Sequence, residues 1–191
     1  MRKVIFLVNI SLDGFTAGPK GELDWLIPQA VTEESYRHFR EIRQTVDTVL
    51  LGRLNYEGFV QYWPTVAKNP ASAQKDVEFS RWLDDVEKLI FSHTLKHVDW
   101  KNAKLAKGGA EGVAKVKKRP GKDLLVMTST SLGQSLIDLD MVDEYQLIVH
   151  PCTLGGGKAL FKDRKAQSLS LLSTTPFPKT GAVALHYAVN R

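Results

Sequence analysis

Three positions in the sequence place glycine, arginine or hydroxyl side chains directly after an apolar run. These are Leu51-Gly52-Arg53, Ser92-His93, and the four residues Thr128, Ser129, Thr130 and Ser131. Backbone N–H groups at the start of a helix lack partners within the helix, so a turn there can bind an anionic phosphate, and glycine allows close approach. An arginine adds a charge-assisted hydrogen bond worth roughly 1.5 to 3 kcal/mol. The pattern therefore indicates phosphate-binding turns.

Each turn also has a purely structural interpretation. Gly52 can end a strand while Arg53 pairs with Glu57, four residues further along a helix. Hydroxyl side chains before a helix commonly cap it. A fourth segment, Leu154-Gly155-Gly156-Gly157-Lys158, is superficially like a nucleoside-triphosphate loop. It lacks the first glycine at the required spacing and the Ser or Thr after the lysine, so we reject that interpretation.

The elements that must position these turns alternate along the chain. Helices are predicted from Thr32, from Arg53 towards Trp63-Pro64, over 77–86 and 110–116, and from Thr130. Strands are predicted between them at 3–11, 48–51, 88–92, 123–128 and 143–150. Such alternation builds a largely parallel sheet with helices on both faces, and ligands then bind beyond the carboxyl ends of the strands. Residues 168–173 and 182–189 predict a terminal antiparallel hairpin.

The bulk properties narrow the class of protein. At 191 residues with 43% hydrophobic side chains, the chain is expected to form one domain over residues 1–191. The longest early apolar run, residues 4–8, is too short for a signal peptide or a membrane span, which predicts a cytoplasmic protein without membrane contact. The single cysteine, Cys152, excludes an internal disulfide and is expected to be a small buried residue.

The charge pattern does not favour nucleic acid as a partner. The net charge is +5, but the basic residues are scattered, and the dense group of Lys115, Lys117, Lys118 and Arg119 is expected to be a solvated helix end. His93 and His97 stand four residues apart without a third ligand nearby, so no metal site is expected.

Taken in order, the motifs resemble the dihydrofolate reductase-like family that includes the reductase domain of riboflavin biosynthesis. The resemblance covers nearly the whole chain, including Leu185-His186-Tyr187 in the predicted hairpin. Besides Leu51-Gly52-Arg53, it rests on Asn9-Ile10-Ser11-Leu12-Asp13-Gly14, Phe91-Ser92-His93-Thr94-Leu95, Ser131-Leu132, Val149-His150-Pro151 and Leu154-Gly155-Gly156-Gly157.

What the resemblance implies is a three-layer α/β/α sandwich on a mixed, mainly parallel sheet with a C-terminal antiparallel hairpin. It further implies a homodimeric oxidoreductase that binds NADPH, with NADH possible, and delivers hydride to a small pterin-like or pyrimidine-like heterocycle. The alternative is a dimeric nucleotide-binding or small-ligand-binding protein of the same fold that has weak or lost reductase activity.

Site residues follow from the resemblance position by position. Gly52 and Arg53 match the turn beside the cofactor phosphates, Ser92 and His93 the turn at the adenosine 2′-phosphate, and residues 128–132, ending at Leu132, the pyrophosphate turn. Asn9, Thr16 and Ala17 match positions along the nicotinamide. Trp25, Tyr36 and Phe59 are expected around the substrate, and Asp13 or water is expected to supply the proton, because neither Glu33 nor Glu34 can be placed as the family's acid.

The sequence departs from the family at two of these turns. Family members usually carry glycines in the pyrophosphate turn, where this chain has Thr128, Ser129 and Thr130, and a positive φ at β-branched Thr130 would be costly. We therefore expect a shifted or weaker cofactor pose. At the 2′-phosphate position His93 replaces the common arginine, which should soften the preference for the phosphorylated cofactor.

Overall fold

The computed structural model describes residues 1–27, 32–161 and 163–191. One eight-stranded sheet runs through it, with helices on both faces. The strands are β1 (Val4–Ser11), β2 (Val46–Gly52), β3 (Glu87–Phe91), β4 (Ala103–Ala106), β5 (Asp123–Met127), β6 (Glu144–His150), β7 (Leu169–Phe177) and β8 (Ala182–Val189). The described helices are α1 (Glu33–Thr45), α2 (Arg53–Val66), α3 (Gln74–Asp85), α4 (Gly109–Lys117) and α5 (Thr130–Asp138).

The strand order across the sheet is β4-β3-β2-β5-β1-β6-β8-β7. Every pair from β4 to β6 is parallel, whereas β8 runs antiparallel to β6 and β7 antiparallel to β8. This confirms the predicted fold class, a mixed and mainly parallel sheet that ends in an antiparallel hairpin. The carboxyl ends of the six parallel strands consequently share one edge of the sheet.

Alternate side chains of each central strand feed two separate cores. In β1, Leu7 packs in the core that includes Ile42 of α1, while Phe6 packs in the other core with Leu136 of α5. Helices α1, α2 and α3 cover the first face, and α4 and α5 cover the second. At Gly133 of α5 a Cβ would lie 2.1 Å from the Phe6 ring, so a glycine is required where that helix crosses β1.

The first helix begins where the sequence predicts. Thr32 is its N-cap, and its side chain accepts a hydrogen bond from the backbone N–H of Ser35, whose hydroxyl in turn accepts one from the Thr32 N–H. This reciprocal capping box stabilises the start of α1.

Other expectations are corrected. Strand β4 was not predicted, and β7 continues through Pro176 to Phe177 instead of turning at Thr175. Lys117 is buried rather than solvated, because its Nζ forms a salt bridge of 2.5 Å with Asp143. Cys152 is half-buried rather than buried. In the ranges that the structure describes, no helix is long and apolar enough to cross a membrane.

Candidate functional site

A cleft of about 1200 Å³ opens at the carboxyl ends of the parallel strands. Its lining brings together residues that lie more than a hundred positions apart in sequence. All twelve residues predicted to bind a cofactor are part of it: Asn9, Thr16, Ala17, Gly52, Arg53, Ser92, His93, Thr128, Ser129, Thr130, Ser131 and Leu132.

Three helices begin at this cleft, and none has a side-chain cap. Gly52, Gly108 and Ser129 are the N-caps of α2, α4 and α5, and none of them accepts a capping hydrogen bond with its side chain. The first-turn N–H groups of a helix have no partner inside it and carry the positive end of the helix dipole. Three such ends around one cleft form an environment suited to phosphate.

The turns before α2 and α5 are joined directly. The Gly52 N–H donates to the Ser129 hydroxyl at 3.0 Å, and Ser129 itself is buried. Because β2 and β5 are neighbours in the sheet, their carboxyl ends bring these turns side by side. The Ser129 hydroxyl therefore ties two helix starts together instead of capping its own helix.

Arg53 forms the ion pair that the sequence offered as its alternative role. Its Nη1 donates to the two Glu57 carboxylate oxygens at 2.8 and 3.1 Å. Both side chains are more than a third exposed, so the pair contributes only a few tenths of a kcal/mol, about 0.3 to 0.5 for an exposed (i, i+4) pair. Arg53 also lines the cleft, and a phosphate could compete with Glu57 for it.

In the turn after β5, which the resemblance assigns to the pyrophosphate, the residue with a positive φ is Thr128, not Thr130 as the sequence suggested. Thr128 has φ = 51°, whereas Thr130 is the first residue of α5. The side-chain amide of Asn55 holds this left-handed conformation by donating to Thr128 Oγ1 at 3.0 Å. A β-branched residue rarely adopts this conformation, so part of the fold's stability is used to keep the turn in place.

At the turn after β3, the Ser92 hydroxyl is already used by the backbone. It accepts hydrogen bonds from the N–H groups of Thr94 and Leu95 at 3.1 and 3.0 Å. The neighbouring His93 is exposed and lines the cleft. Ser92 thus shapes the turn, and the His93 side chain is free to approach a ligand from the rim.

At the other end of the cleft, Thr16 and Ala17 are fixed by the glycine-rich segment. The N–H of Thr16 donates to the Lys158 carbonyl at 2.8 Å, and the Lys158 N–H donates to the Ala17 carbonyl at 2.9 Å. Gly157 makes this approach possible, since a Cβ there would lie 2.2 Å from the Ala17 carbonyl oxygen and its φ is +133°. Of the three glycines in this segment, Gly157 is therefore the one that the close backbone contact requires.

Asn9 is oriented from behind by a buried histidine. His150 Nε2 lies 2.9 Å from Asn9 Oδ1, and burial lowers the pKa of His150. A neutral ring protonated at Nε2 donates to this oxygen, which fixes the orientation of the Asn9 amide. Trp25 packs edge-on against His150, with ring centroids 5.6 Å apart, and lies outside the lining of the cleft.

A second, smaller cavity of about 200 Å³ adjoins the cleft. Aromatic side chains of α1, α2 and α3 form much of its wall, and Tyr36 and Phe59, both predicted to contact substrate, are among them. Trp25 is not. The two cavities share Asn9, Phe59 and Thr128, so a ring in the small cavity would lie beside a ligand that fills the near end of the cleft.

Asp13, predicted as a proton donor, lines neither cavity. Its carboxylate accepts hydrogen bonds from the Ser11 hydroxyl at 2.6 Å and from the N–H groups of Leu154 and Gly155. These bonds, that of Ser11 first, hold the pKa of Asp13 below its usual value. The geometry favours the turn role that an Asp-Gly pair also allows, because a carboxylate held ionised is a poor proton donor.

Sequence reasoning missed three parts of the site. Gly108 and Gly109 line the cleft at the start of α4, and a Gly-Gly pair before a predicted helix was an available signal. Lys158 lines the cleft and was set aside together with the loop that it ends. His38 lines the small cavity, but its helical spacing resembled that of an ordinary core position.

The charged side chains among the described residues that line the cleft are positive, while Glu57, outside the lining, pairs with Arg53. Arg53 and Lys158 contribute fixed positive charges, and no carboxylate occurs among the described residues that line it. The described residues also contain no cluster of histidine, cysteine or acidic side chains that could hold a metal ion. The cleft is therefore suited to an anionic organic ligand.

Comparison with known proteins agrees with this geometry. The family model of the RibD C-terminal domain matches residues 2–181, so the chain belongs to that family. The protein YyaP of Bacillus subtilis is 34% identical over 192 residues, which cover 99% of this chain and 96% of YyaP.

Two solved structures share the fold at low identity. A diaminohydroxyphosphoribosylaminopyrimidine deaminase/5-amino-6-(5-phosphoribosylamino)uracil reductase from Thermotoga maritima superposes with a TM-score of 0.65 at 14% identity, covering 99% of this chain and 57% of that one. Dihydrofolate reductase from Enterococcus faecalis, complexed with NADP(H), gives a TM-score of 0.62 at 15% identity, covering 99% and 97%. The chain thus has a dihydrofolate reductase-like fold.

Proposed function

We propose that the protein is a reductase that uses NADPH, or NADH, to transfer hydride to a small pterin-like or pyrimidine-like ring. The observation that carries this proposal is the junction of the two cavities. An anion-suited cleft of about 1200 Å³, large enough for a dinucleotide, meets an aromatic pocket at Asn9, Phe59 and Thr128. Hydride transfer needs that geometry, two rings held side by side, more than it needs a protein nucleophile.

The residues around the cleft fit the cofactor. The N-termini of α2 and α5, with Arg53, would hold the pyrophosphate, and the turn at Ser92 and His93 would meet the adenosine end. Asn9, Thr16 and Ala17 would orient the carboxamide of the nicotinamide. When bound, the cofactor supplies a hydride from its reduced ring.

The proton that accompanies the hydride comes from water in this proposal. No aspartate or glutamate occurs among the described residues that line the small cavity. The Tyr36 hydroxyl donates to Asp76 at 2.5 Å, and burial together with that hydrogen bond raises the pKa of Tyr36 far above its ordinary value. A water molecule beside Asn9 would protonate the ring, and neither an acidic side chain nor Tyr36 would take part.

Cofactor titration tests the first half of the proposal. Reduced cofactor added to the purified protein should quench tryptophan fluorescence to saturation. NADPH should be favoured over NADH by only a small factor, because His93 stands where the family commonly carries an arginine. Absence of saturable binding of either form at millimolar concentration would remove the proposal. Oxidation of NADPH in the presence of a reducible pterin or pyrimidine would then establish turnover.

The second candidate is a dimeric nucleotide-binding or small-ligand-binding protein without turnover. The observation that favours it is the absence of a carboxylic acid from the small cavity's described lining, since no acidic side chain there could protonate a ring during its reduction. This candidate predicts cofactor binding without any cofactor oxidation across a panel of oxidised pterins and pyrimidines. Size-exclusion chromatography with light scattering would test the expected homodimer.

A further inference from the structure

The lining of the small cavity restricts the chemistry of its ligand. Its described residues include five with polar side chains and none that is acidic or permanently cationic: Asn9, Ser35, Tyr36, His38 and Thr128. The remaining walls are aliphatic and aromatic, with Phe39, Phe59, Trp63 and Phe79 among them. The cavity thus offers hydrogen bonds but no compensating charge.

His38 is a neutral member of this lining. It is buried, and burial is the main cause that lowers its pKa below the ordinary value. Its Nε2 lies 3.2 Å from Oε1 of the Gln146 side-chain amide, while its Nδ1 has no hydrogen-bond partner among the described residues. If Nε2 donates to Gln146, Nδ1 is an acceptor that lacks a donor, which a ring N–H of a bound molecule could supply.

Two charged side chains that contact Tyr36 of the pocket, Asp76 and Lys75, already have partners. Asp76 accepts the Tyr36 hydroxyl at 2.5 Å from outside the lining. Lys75 lies over the Tyr36 ring at 5.3 Å and pairs with Glu33 at 3.6 Å. A phosphate or carboxylate carried into the pocket would therefore have to be desolvated without a free counter-charge, which is strongly unfavourable.

The volume of the small cavity also restricts its ligand. The cavity of about 200 Å³ is below the usual range of roughly 300 to 1000 Å³ for ligand pockets, whereas the adjoining cleft is about 1200 Å³. The pocket has room for a planar ring with a short substituent, and the cleft is assigned to the dinucleotide in the proposed function.

We infer that the small cavity takes a neutral, unphosphorylated planar heterocycle with a ring N–H donor, rather than a ring that bears a phosphate or a carboxylate. The inference rests on the proposed function for the identity of the pocket as the substrate site. Such a ligand differs from the substrate in the Thermotoga protein's name, which is a uracil bearing a phosphoribosylamino group.

The test compares three ligands that share one ring: 6-hydroxymethylpterin, its phosphate monoester and pterin-6-carboxylate. Binding is followed by calorimetry on the full chain, without nucleotide and again with saturating NADP⁺. The neutral pterin should bind saturably, and the two charged ligands at least tenfold more weakly. Equal or tighter binding of either charged ligand, or no saturable binding of the neutral one up to millimolar concentration, overturns the inference.

A variant that adds a positive charge to the lining makes the test specific to this cavity. Ser35→Lys adds a cation to the lining and should improve binding of the two charged ligands at least tenfold relative to Ser35→Ala, which removes the same capping-box hydroxyl without adding charge. The matched control, Ser170→Lys on exposed β7, adds the same charge elsewhere and should change nothing. Improvement by both variants to the same extent would show a long-range charge effect and count against the inference.

NADPH titration of the same samples separates the two proposals. If NADPH binds but the charged ligands bind best, the proposed function survives and the inference fails. If the neutral pterin alone binds and NADPH does not, the restriction on pocket chemistry holds while the reductase proposal fails.

Discussion

The Arg53–Glu57 ion pair leads to a prediction with opposite signs for its two partners. If Arg53 binds a cofactor phosphate, Arg53→Ala weakens cofactor binding. Glu57 competes with that phosphate for Arg53 Nη1 at 2.8 and 3.1 Å. Glu57→Gln should then strengthen binding, since it removes both the competitor and a negative charge beside the phosphates.

The magnitude follows from the exposure of the pair. A charge-assisted hydrogen bond contributes roughly 1.5 to 3 kcal/mol. Giving up the exposed pair costs about 0.3 to 0.5 kcal/mol. The net loss in Arg53→Ala is then about 1 to 2.5 kcal/mol, which is roughly five- to sixtyfold in Kd. Glu57→Gln should tighten binding about twofold by the same conversion.

The assay is a fluorescence titration with NADPH at fixed, low ionic strength, because salt screens exposed charges. In the double variant, Glu57→Gln should have a smaller effect than it has alone, since its competition for Arg53 is gone and only its direct charge effect on the phosphates remains. The matched control is Arg40→Ala, which removes an exposed arginine paired with Glu78 at 3.5 Å outside the cleft. It should leave the NADPH Kd unchanged.

Two results would refute this reasoning. If Arg53→Ala binds NADPH as tightly as the unaltered protein, Arg53 serves only its helix pair and the dinucleotide phosphates lie elsewhere. If Glu57→Gln weakens binding as much as Arg53→Ala does, the pair acts as one structural unit that positions α2, and a direct phosphate contact is not needed.

Three further predictions concern the loops and the buried pocket histidine. Gly157→Ala should destabilise the protein and weaken NADPH binding, because the added Cβ would meet the Ala17 carbonyl. Gly156→Ala, at a position with open space around it, should do neither. Equal melting temperatures of the two variants would contradict this prediction. Thr128→Gly should be more stable than Thr128→Ala by about 1 kcal/mol in urea unfolding, since glycine accepts φ = 51° without a Cβ penalty, and the reverse order would exclude strain at this turn. Burial lowers the pKa of His38 in the folded state, so the unfolded state binds more protons as the pH falls below about 6.5. The free energy of unfolding should therefore decrease with falling pH in that range, and the slope should be shallower in His38→Phe. Identical slopes in the two proteins would assign the effect to other groups.

The parts of the fold that could be predicted from sequence are those that depend on local signals. The turn at Gly52 follows an apolar run and precedes helical spacing, so both its position and its edge of the sheet were predictable. Strand β4 was not, because Ala-Lys-Leu-Ala contains no β-branched residue and the strand forms only by pairing with β3 at the sheet edge. Its formation depends on a neighbour rather than on its own residues.

The candidate site likewise contains residues that could be predicted from the sequence and residues that could not. Its twelve predicted cofactor residues converge because each lies at or near the end of a strand. The role of Asp13 was not predictable, since its partners Leu154 and Gly155 lie 141 and 142 positions away. His38 escaped notice because a histidine on the buried face of a helix looks the same in sequence whether it fills the core or lines a cavity.

The serine and threonine residues at 128–131 show how a departure from the family pattern is accommodated. The Ser129 hydroxyl holds the Gly52 amide, and Asn55 holds Thr128, so these side chains fix the backbone instead of facing a ligand. For phosphate this leaves the backbone N–H groups at the helix starts, the Thr130 and Ser131 hydroxyls and the Arg53 guanidinium, while Lys158 lies at the other end of the cleft. A turn held this rigidly needs no reordering when a ligand binds, which offsets part of what the missing glycines would have contributed. Arg53 is therefore the side chain on which cofactor affinity should depend most.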